Sequence, residues 1–258
     1  MLKVAFVGDS FSAYEQAGQQ KNSWTYLLAK HFPQHTYFNY SLGGRGFDYY
    51  HMALLDAKIR EADVIFTNKT FLHRTVQLVS DEEHTWQEQK IDDNYYHMEL
   101  FHICWYSQHS GNNWVQVKQS DMPPESVKKA IATSLQNKST STHYMNYNER
   151  WWNNMQNLYN FKHIVKLELL YHPWDHYPMP KFPKTAYAQL REQFGIEKAL
   201  YGIQKEQEEE IIDKVRDDVL FNKGLIISPT DDHWSPLANK WVFDNYIMPK
   251  AIDILSEK

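Results

Sequence analysis

The chain of 258 residues contains a single cysteine, Cys104, so it cannot form an internal disulfide. Cysteine is among the residue types most often buried, and we expect Cys104 to serve as a small apolar side chain in the interior. The sequence also lacks internal repeats and low-complexity linkers. One domain over residues 1–258, carrying an insertion, is the expected organisation, and its length is ample for a core.

Long hydrophobic runs and blocks of one charge are missing as well. No run approaches the roughly 18 apolar residues of a membrane span, and the start Met-Leu-Lys leads straight into a predicted strand without room for a signal peptide. The 27 basic and 32 acidic residues give a formal charge of −5 without a basic block. Nucleic acid and membranes are therefore not expected partners, and a cytoplasmic location is favoured.

A serine directly after an apolar segment is the most informative feature that is present. Residues 4–12 read Val-Ala-Phe-Val-Gly-Asp-Ser-Phe-Ser. A strand that is apolar on both faces is typical of a parallel sheet covered by helices, and Gly8 then allows a sharp turn. Ser10 is predicted to lie at the carboxyl edge of that sheet, where α/β folds bind ligands.

A serine nucleophile needs a base and a group that orients the base. Residues 228–236 offer both, because they read Ser-Pro-Thr-Asp-Asp-His-Trp-Ser-Pro in a predicted polar turn after an apolar segment. His233 is the candidate base, and Asp231 or Asp232 the candidate orienting carboxylate. Each motif is weak alone, since an Asp-Asp-His turn is commonly a solvated loop. Their order and their positions after predicted strands carry the prediction.

Strand and helix patterns alternate along the chain, which predicts an α/β fold with a parallel sheet of about five strands. The predicted strands cover residues 2–7, 36–40, 62–67, 163–169 and 224–227. The predicted helices that matter most cover residues 23–32, 47–60 and 236–255.

Residues 71–161 interrupt this alternation and are dense in aromatic side chains. We interpret them as a largely helical insertion or cap, with helices near 124–136 and 148–159. The aromatic side chains could stack on sugar rings or close over an acyl group. Alternatively they form the small core of the cap itself, because aromatics dominate core burial generally.

Three short blocks resemble those of the SGNH or GDSL hydrolase family. Residues 8–12 resemble its first block, and residues 39–44, Asn-Tyr-Ser-Leu-Gly-Gly, resemble its second. The resemblance implies that Ser10 is the nucleophile and that the Gly44 amide lies in the oxyanion hole. Residues 66–69 read Phe-Thr-Asn-Lys where the family usually has Gly-x-Asn-Asp. Asn68 matches the oxyanion asparagine of that block, whereas the glycine and the aspartate are absent.

The last block departs from the common Asp-x-x-His spacing, because position 230 is threonine. Residues 231–234 resemble instead the Asp-x-His-Trp block of the alginate O-acetyltransferase branch, which also carries Gly-Asp-Ser-Phe-Ser. On that match Asp231 orients His233, and Asp232 is the alternative, although adjacent residues usually point apart. The fold that the resemblance implies is a flavodoxin-like three-layer α/β/α sandwich.

The activity implied is acyl transfer through a covalent ester on Ser10, with amides of Ser10, Gly44 and Asn68 around the oxyanion and no cofactor or metal. We expect a carbohydrate O-acetylesterase acting on a small-molecule or polysaccharide ester, with O-acetyltransferase, lipase or thioesterase as alternatives. Arg45 and Trp234 are the candidate substrate-binding residues. Three cations that could bind an anionic sugar, or simply be solvated, are Arg45, Lys69 and Arg74. The oligomeric state is left open.

Two hypotheses from other classes remain open. A metal-dependent hydrolase could use His172, Asp175 and His176, which follow a predicted strand, although the prolines nearby favour an irregular loop and no second ligand cluster is evident. A catalytically inactive carbohydrate-binding module on the same scaffold is the other. The altered third block favours it, and a fold does not by itself establish a function.

Overall fold

A computed structural model of the protein describes residues 1–13, 20–43, 46–68, 74–78, 86–100, 103–107, 150, 154, 158–169, 185–196, 218–229 and 231–256. The chain divides into two compact units. The first unit comprises Met1–Ala13 and Pro33–Lys166, and the second unit comprises Tyr14–Phe32 and Leu167–Lys258.

A six-stranded sheet in the order β5-β6-β2-β1-β3-β8 is the centre of the first unit. Strand β1 pairs in parallel with β2 and β3, β2 pairs in parallel with β6, and β5 is antiparallel to β6. Strands β4 and β7 form a separate antiparallel pair. The strands are β1 (Lys3–Val7), β2 (Thr36–Asn39), β3 (Val64–Asn68), β4 (Arg74–Leu78), β5 (Trp86–Asp92), β6 (Tyr95–Leu100), β7 (Ile103–Ser107) and β8 (His163–Leu167).

The apolar residues of β1 explain why it is central, since both of its faces are buried. Ala5 and Val7 belong to a buried cluster that includes residues of helix α2 (Phe47–Ile59). Phe6 points to the opposite face, where its ring stacks on Tyr37 at 5.7 Å between ring centroids. A mixed α/β architecture with a mostly parallel sheet, as predicted from the alternating patterns, is therefore confirmed.

The described residues of the segment predicted as a largely helical insertion are mostly in strands. They supply β4, β5, β6 and β7. The hairpin of β5 and β6 extends the central sheet to six strands, with Tyr95 beside Tyr37 across the β2–β6 pair. The predicted helix at 124–136 lies outside the described residues, whereas residues 150, 154, 158 and 159 of the helix predicted at 148–159 are helical.

The second unit contains a short hairpin that corrects two predictions. Strand β9 (Ile226–Ser228) was expected in the parallel sheet, but it pairs antiparallel with β10 (Asp231–Trp234) in a sheet of two strands. The predicted polar turn at 228–236 therefore contains a strand. Only two residues, 229 and 230, connect β9 to β10, and so short a connection favours antiparallel pairing of neighbours.

Helices account for most of the rest of the second unit that is described. They are α1 (Trp24–His31), α3 (Ala186–Gln193), α4 (Pro236–Val242) and α5 (Met248–Leu255), with a π-helical segment, Phe243–Ile247, joining the last two. The helices predicted at 23–32, 47–60 and 236–255 are thus confirmed. No helix in the part of the chain described here has the length and apolar character needed to cross a membrane.

Candidate functional site

Ser10 lies in a tight turn immediately beyond the carboxyl end of β1. The amide of Ser12 donates to the carbonyl of Asp9 at 3.0 Å, and the amide of Phe11 donates to Asp9 Oδ1 at 3.1 Å. An aspartate that accepts from the backbone two residues ahead stabilises a turn of this kind. Ser10 is 7 % exposed. Neither its amide nor its hydroxyl has a hydrogen-bond partner among the described residues.

Asn68, at the end of β3, is fixed beside this turn by two hydrogen bonds, one that it accepts and one that it donates. Its Oδ1 accepts a hydrogen bond from Ser12 Oγ at 2.8 Å, and its Nδ2 donates to Asp9 Oδ1 at 3.0 Å. Asn68 and Asp9 are 0 % exposed. The parallel pairing of β1 with β3, in which Val7 is opposite Thr67, places Asn68 next to the turn.

Gly8 is required at its position by space. A Cβ atom built there would lie 2.0 Å from Asn68 Oδ1 and 2.8 Å from Ser12 Cβ. Its φ does not fall in the left-handed region. The conformational explanation offered from the sequence therefore gives way to a steric one, since the absent side chain lets Asn68 approach the backbone of the turn.

The second block reaches the same turn through Asn39, the last residue of β2. Asn39 Nδ2 donates to the carbonyl of Ser12 at 3.0 Å and to Tyr95 Oη at 2.7 Å, and its Oδ1 accepts from the amide of Ser41 at 2.8 Å. Gly43 of the same block also lies close to this turn, because a Cβ atom built on it would lie 3.6 Å from Ser10 Cβ. The two sequence blocks are therefore adjacent in space.

The order of the strands explains why these residues meet. Strand β2 lies on one side of β1 and β3 on the other, so the chain reverses its direction of progress through the sheet at β1. Open α/β sheets bind ligands in the crevice at the carboxyl ends of the strands at such a switch point. Ser10, Asn39 and Asn68 all lie at that position.

The remaining triad candidates belong to the second unit. His233 lies on β10 and is half-buried, and the side chains of Asp231 and Asp232 are outside the described part. Asp231 pairs with Ser228 and Trp234 with Ile226, so β10 has one residue more than β9 between these pairs. A β-bulge of this kind interrupts regular alternation. The argument from alternation that favours Asp231 over Asp232 no longer decides between them.

Several other predicted site residues lie outside the described residues. They are Gly44, Arg45, Lys69, His172, Asp175 and His176, while Arg74 is described only as part of β4. Trp234 is 2 % exposed, and its contact with substrate stays a prediction. No group of three or more potential metal ligands occurs among the residues that the structure describes.

Four residues of this hydrogen-bond network were not identified as site residues from the sequence. Asp9 and Ser12 lie inside the first block and Asn39 inside the second, so the blocks themselves held the signal. Tyr95 had none, because its contact with Asn39 depends on the pairing of β6 with β2, which are far apart in sequence.

No protein-family model matches the sequence, and no curated protein matches it at a significant level of similarity. The resemblance to SGNH hydrolases therefore rests on the short blocks alone.

Proposed function

We propose that this protein is an SGNH-type serine esterase that removes acyl groups, specifically O-acetyl groups from a carbohydrate, through a covalent acyl-enzyme on Ser10. One observation carries the proposal: Ser10 lies in a turn held by Asp9, with the buried amide of Asn68 fixed beside it at the carboxyl ends of β1 and β3. The order β2-β1-β3-β8 matches the start of the flavodoxin-like order, so a sandwich of that type is part of the proposal.

The proposed reaction has two acyl-transfer steps. Ser10 Oγ attacks the ester carbonyl carbon while His233 takes the hydroxyl proton, and His233 returns that proton to the leaving alcohol. Water then attacks the acyl-enzyme with His233 again as base, and acetate and the free serine are released. Asp231 holds the imidazole tautomer and stabilises its protonated form.

The oxyanion formed in each step requires hydrogen-bond donors that are already in place. The backbone amide of Ser10 is one, since no described residue accepts from it. The side-chain amide of Asn68 is the second, because the third block matches the family's oxyanion asparagine and the contact with Asp9 fixes its nitrogen beside the Ser10 turn. The family resemblance adds the amide of Gly44 as a third.

The nucleophile is tested by comparing wild type with Ser10→Ala for nitrophenol release from 4-nitrophenyl acetate, and by intact mass after treatment with a serine-reactive phosphonate. We expect activity only in wild type and a single adduct at Ser10. Ser256→Ala, the same substitution at an exposed position after α5, is the matched control. A folded wild-type protein that neither reacts nor is labelled would refute the esterase, and a carbohydrate-binding assay would then test the inactive module.

The orienting carboxylate is tested with Asp231→Asn and Asp232→Asn. Loss of this group in a serine triad lowers kcat by about 10⁴-fold, because the imidazole adopts the wrong tautomer. We therefore expect a loss of about 10³ to 10⁴-fold for Asp231→Asn and a small effect for Asp232→Asn, measured as kcat on an acetylated sugar. The reverse order of effects would assign the role to Asp232.

The products distinguish an esterase from a transferase. An acetylated acceptor sugar among the products would identify a transferase.

A further inference from the structure

We infer that Asp9 and Ser12 are positioning residues that act through Asn68, holding its side-chain amide in one orientation so that the nitrogen, the oxyanion donor of the proposed function, is fixed beside the Ser10 turn. This inference rests on the proposed function, since it assigns the way in which the oxyanion asparagine of that function is held.

The first step of the argument is the chemical character of the two partners. Ser12 Oγ donates to Asn68 Oδ1 at 2.8 Å, and Asp9 Oδ1 accepts from Asn68 Nδ2 at 3.0 Å. Asp9 Oδ1 also accepts from the Phe11 amide, so it acts as an acceptor, and the nitrogen of the Asn68 amide must face it while the amide oxygen faces Ser12. A flipped amide would direct its oxygen at Asp9 Oδ1, which is itself an acceptor, and would lose that bond.

The second step is the lack of room for any other position. Gly8 leaves a gap that Asn68 Oδ1 occupies, with only 2.0 Å to an ideal Cβ position. Ser12 is itself held from behind, because its carbonyl accepts a hydrogen bond from Asn39 Nδ2 at 3.0 Å. Asp9, Ser12 and Asn68 are at most 1 % exposed, so these bonds do not compete with bulk water.

The third step is that the turn carrying Ser10 and the side chain of Asn68 share one hydrogen-bond acceptor. Asp9 Oδ1 accepts from the Phe11 amide in the Ser10 turn at 3.1 Å and from Asn68 Nδ2. A displacement of this carboxylate moves the turn and the asparagine together. Asp9 and Ser12 therefore set the geometry of the donors without contacting the substrate.

A double-mutant cycle between Ser12 and Asn68 tests this inference. We expect Asn68→Ala to lower kcat about 100 to 1,000-fold, as removal of one oxyanion donor does. Ser12→Ala should lower kcat about 10-fold or more with little change in KM. The double variant should be no slower than Asn68→Ala alone to within about 3-fold, because Ser12 has nothing left to position. Losses that multiply would overturn the inference.

Thr67→Val is the matched control for the cycle. Thr67 Oγ1 is buried beside Asn68 and has no hydrogen-bond partner in the described part of the chain. Its substitution also removes a buried hydroxyl, and we expect kcat within about 2-fold of wild type. If Thr67→Val impaired kcat as much as Ser12→Ala, the effect of Ser12 would be one of general packing and the inference would fail.

A second pair of variants addresses Asp9 and includes a conservative rescue. Both contacts reach the same oxygen, so Asp9→Asn keeps an oxygen that can accept both, whereas Asp9→Ala removes it. We expect Asp9→Asn to retain at least about 10-fold more kcat than Asp9→Ala, with Tm measured alongside. Equal losses in two folded variants would overturn the role of Asp9; should Asp9→Ala not fold, the Ser12 cycle decides. Absence of Ser10-dependent activity in wild type would refute the proposed function itself.

Discussion

At the scale of single residues, the site depends on the absence of a side chain at Gly8. Gly8 has no Cβ, and Asn68 Oδ1 occupies the space where one would lie. A glycine in a turn is usually explained by a backbone that other residues rarely adopt, and Gly224, with φ of 69°, is such a case here. Gly8 shows that a close approach between side chain and backbone imposes the same requirement.

Gly8→Ala is expected to lower both stability and activity. The new methyl would lie 2.0 Å from Asn68 Oδ1 and 2.8 Å from Ser12 Cβ, and Asn68 is held by two hydrogen bonds. Overpacking of this kind costs about 1 to 3 kcal/mol of unfolding free energy. Urea denaturation followed by circular dichroism measures that loss, and ester hydrolysis measures the displacement of Asn68.

Gly43→Ala provides the comparison for stability. A Cβ atom at Gly43 would lie 3.6 Å from Ser10 Cβ, which is an ordinary van der Waals distance. We expect its unfolding free energy to stay within about 0.5 kcal/mol of wild type. Equal stability for both alanine variants would contradict the steric account of Gly8.

At the scale of elements, aromatic packing and ion pairs hold the hairpin of β5 and β6 against the rest of the first unit. The ring of Trp86 lies edge-on to Tyr40, with 4.9 Å between centroids, and also contacts Tyr49. Glu88 accepts from Arg60 Nη1 at 2.6 Å, and Arg60 Nε donates to Asp56 at 2.8 Å. These contacts join β5 to α2 and to Tyr40, the residue that follows β2.

The two kinds of contact should differ in strength. Trp86 is half-buried against the core, and we expect Trp86→Ala to lower the unfolding free energy by about 2 to 3 kcal/mol. Glu88 is 39 % exposed in its side chain, and an ion pair this accessible contributes about 1 kcal/mol or less, so Glu88→Gln should be mild. Chemical denaturation of the two variants measures the difference. A larger effect for Glu88→Gln would show that the ion pair dominates.

At the scale of the whole molecule, buried tyrosines limit stability at alkaline pH. Burial raises the pKa of Tyr37, and burial together with the nearby Asp56 carboxylate raises the pKa of Tyr40. Burial raises the pKa of Tyr246 in the second unit to about 12. Above the ordinary tyrosine pKa of about 10, the unfolded chain loses protons that the folded protein keeps. The unfolding free energy must therefore fall as pH rises through this range.

The prediction is a fall of up to about 1.4 kcal/mol per pH unit for each such tyrosine between the ordinary pKa and the raised one. Urea unfolding at several pH values from about 9 to 11.5 measures the slope, and absorbance at 295 nm follows tyrosinate formation. Tyr37→Phe should make the slope shallower, because this group no longer titrates in either state. An unchanged slope in Tyr37→Phe would contradict the assignment.

The local sequence pattern was enough to predict those elements whose burial repeats regularly along the chain. The apolar run before Gly8 predicts a buried central strand, and the spacing at 47–60 predicts α2, because burial on two faces or one stripe leaves a direct mark on the sequence. The motif blocks also placed Ser10 after β1 and Asn68 at the end of β3. None of this required knowledge of which strands pair.

The sequence did not determine which strands pair with one another. The sequence by itself determined the α/β class, the central β1, the main helices and the chemistry available in residues 8–12 and 39–44. Only the tertiary structure decided that β9 pairs with β10 and not with the parallel sheet, and that the β5–β6 hairpin joins that sheet. It also decided that Asp9 and Ser12 bond to Asn68 while Asn39 bonds to the Ser12 carbonyl. Hydrogen bonds between strands link residues up to tens of positions apart, and a local pattern records how much of a strand is buried without recording the partner that buries it.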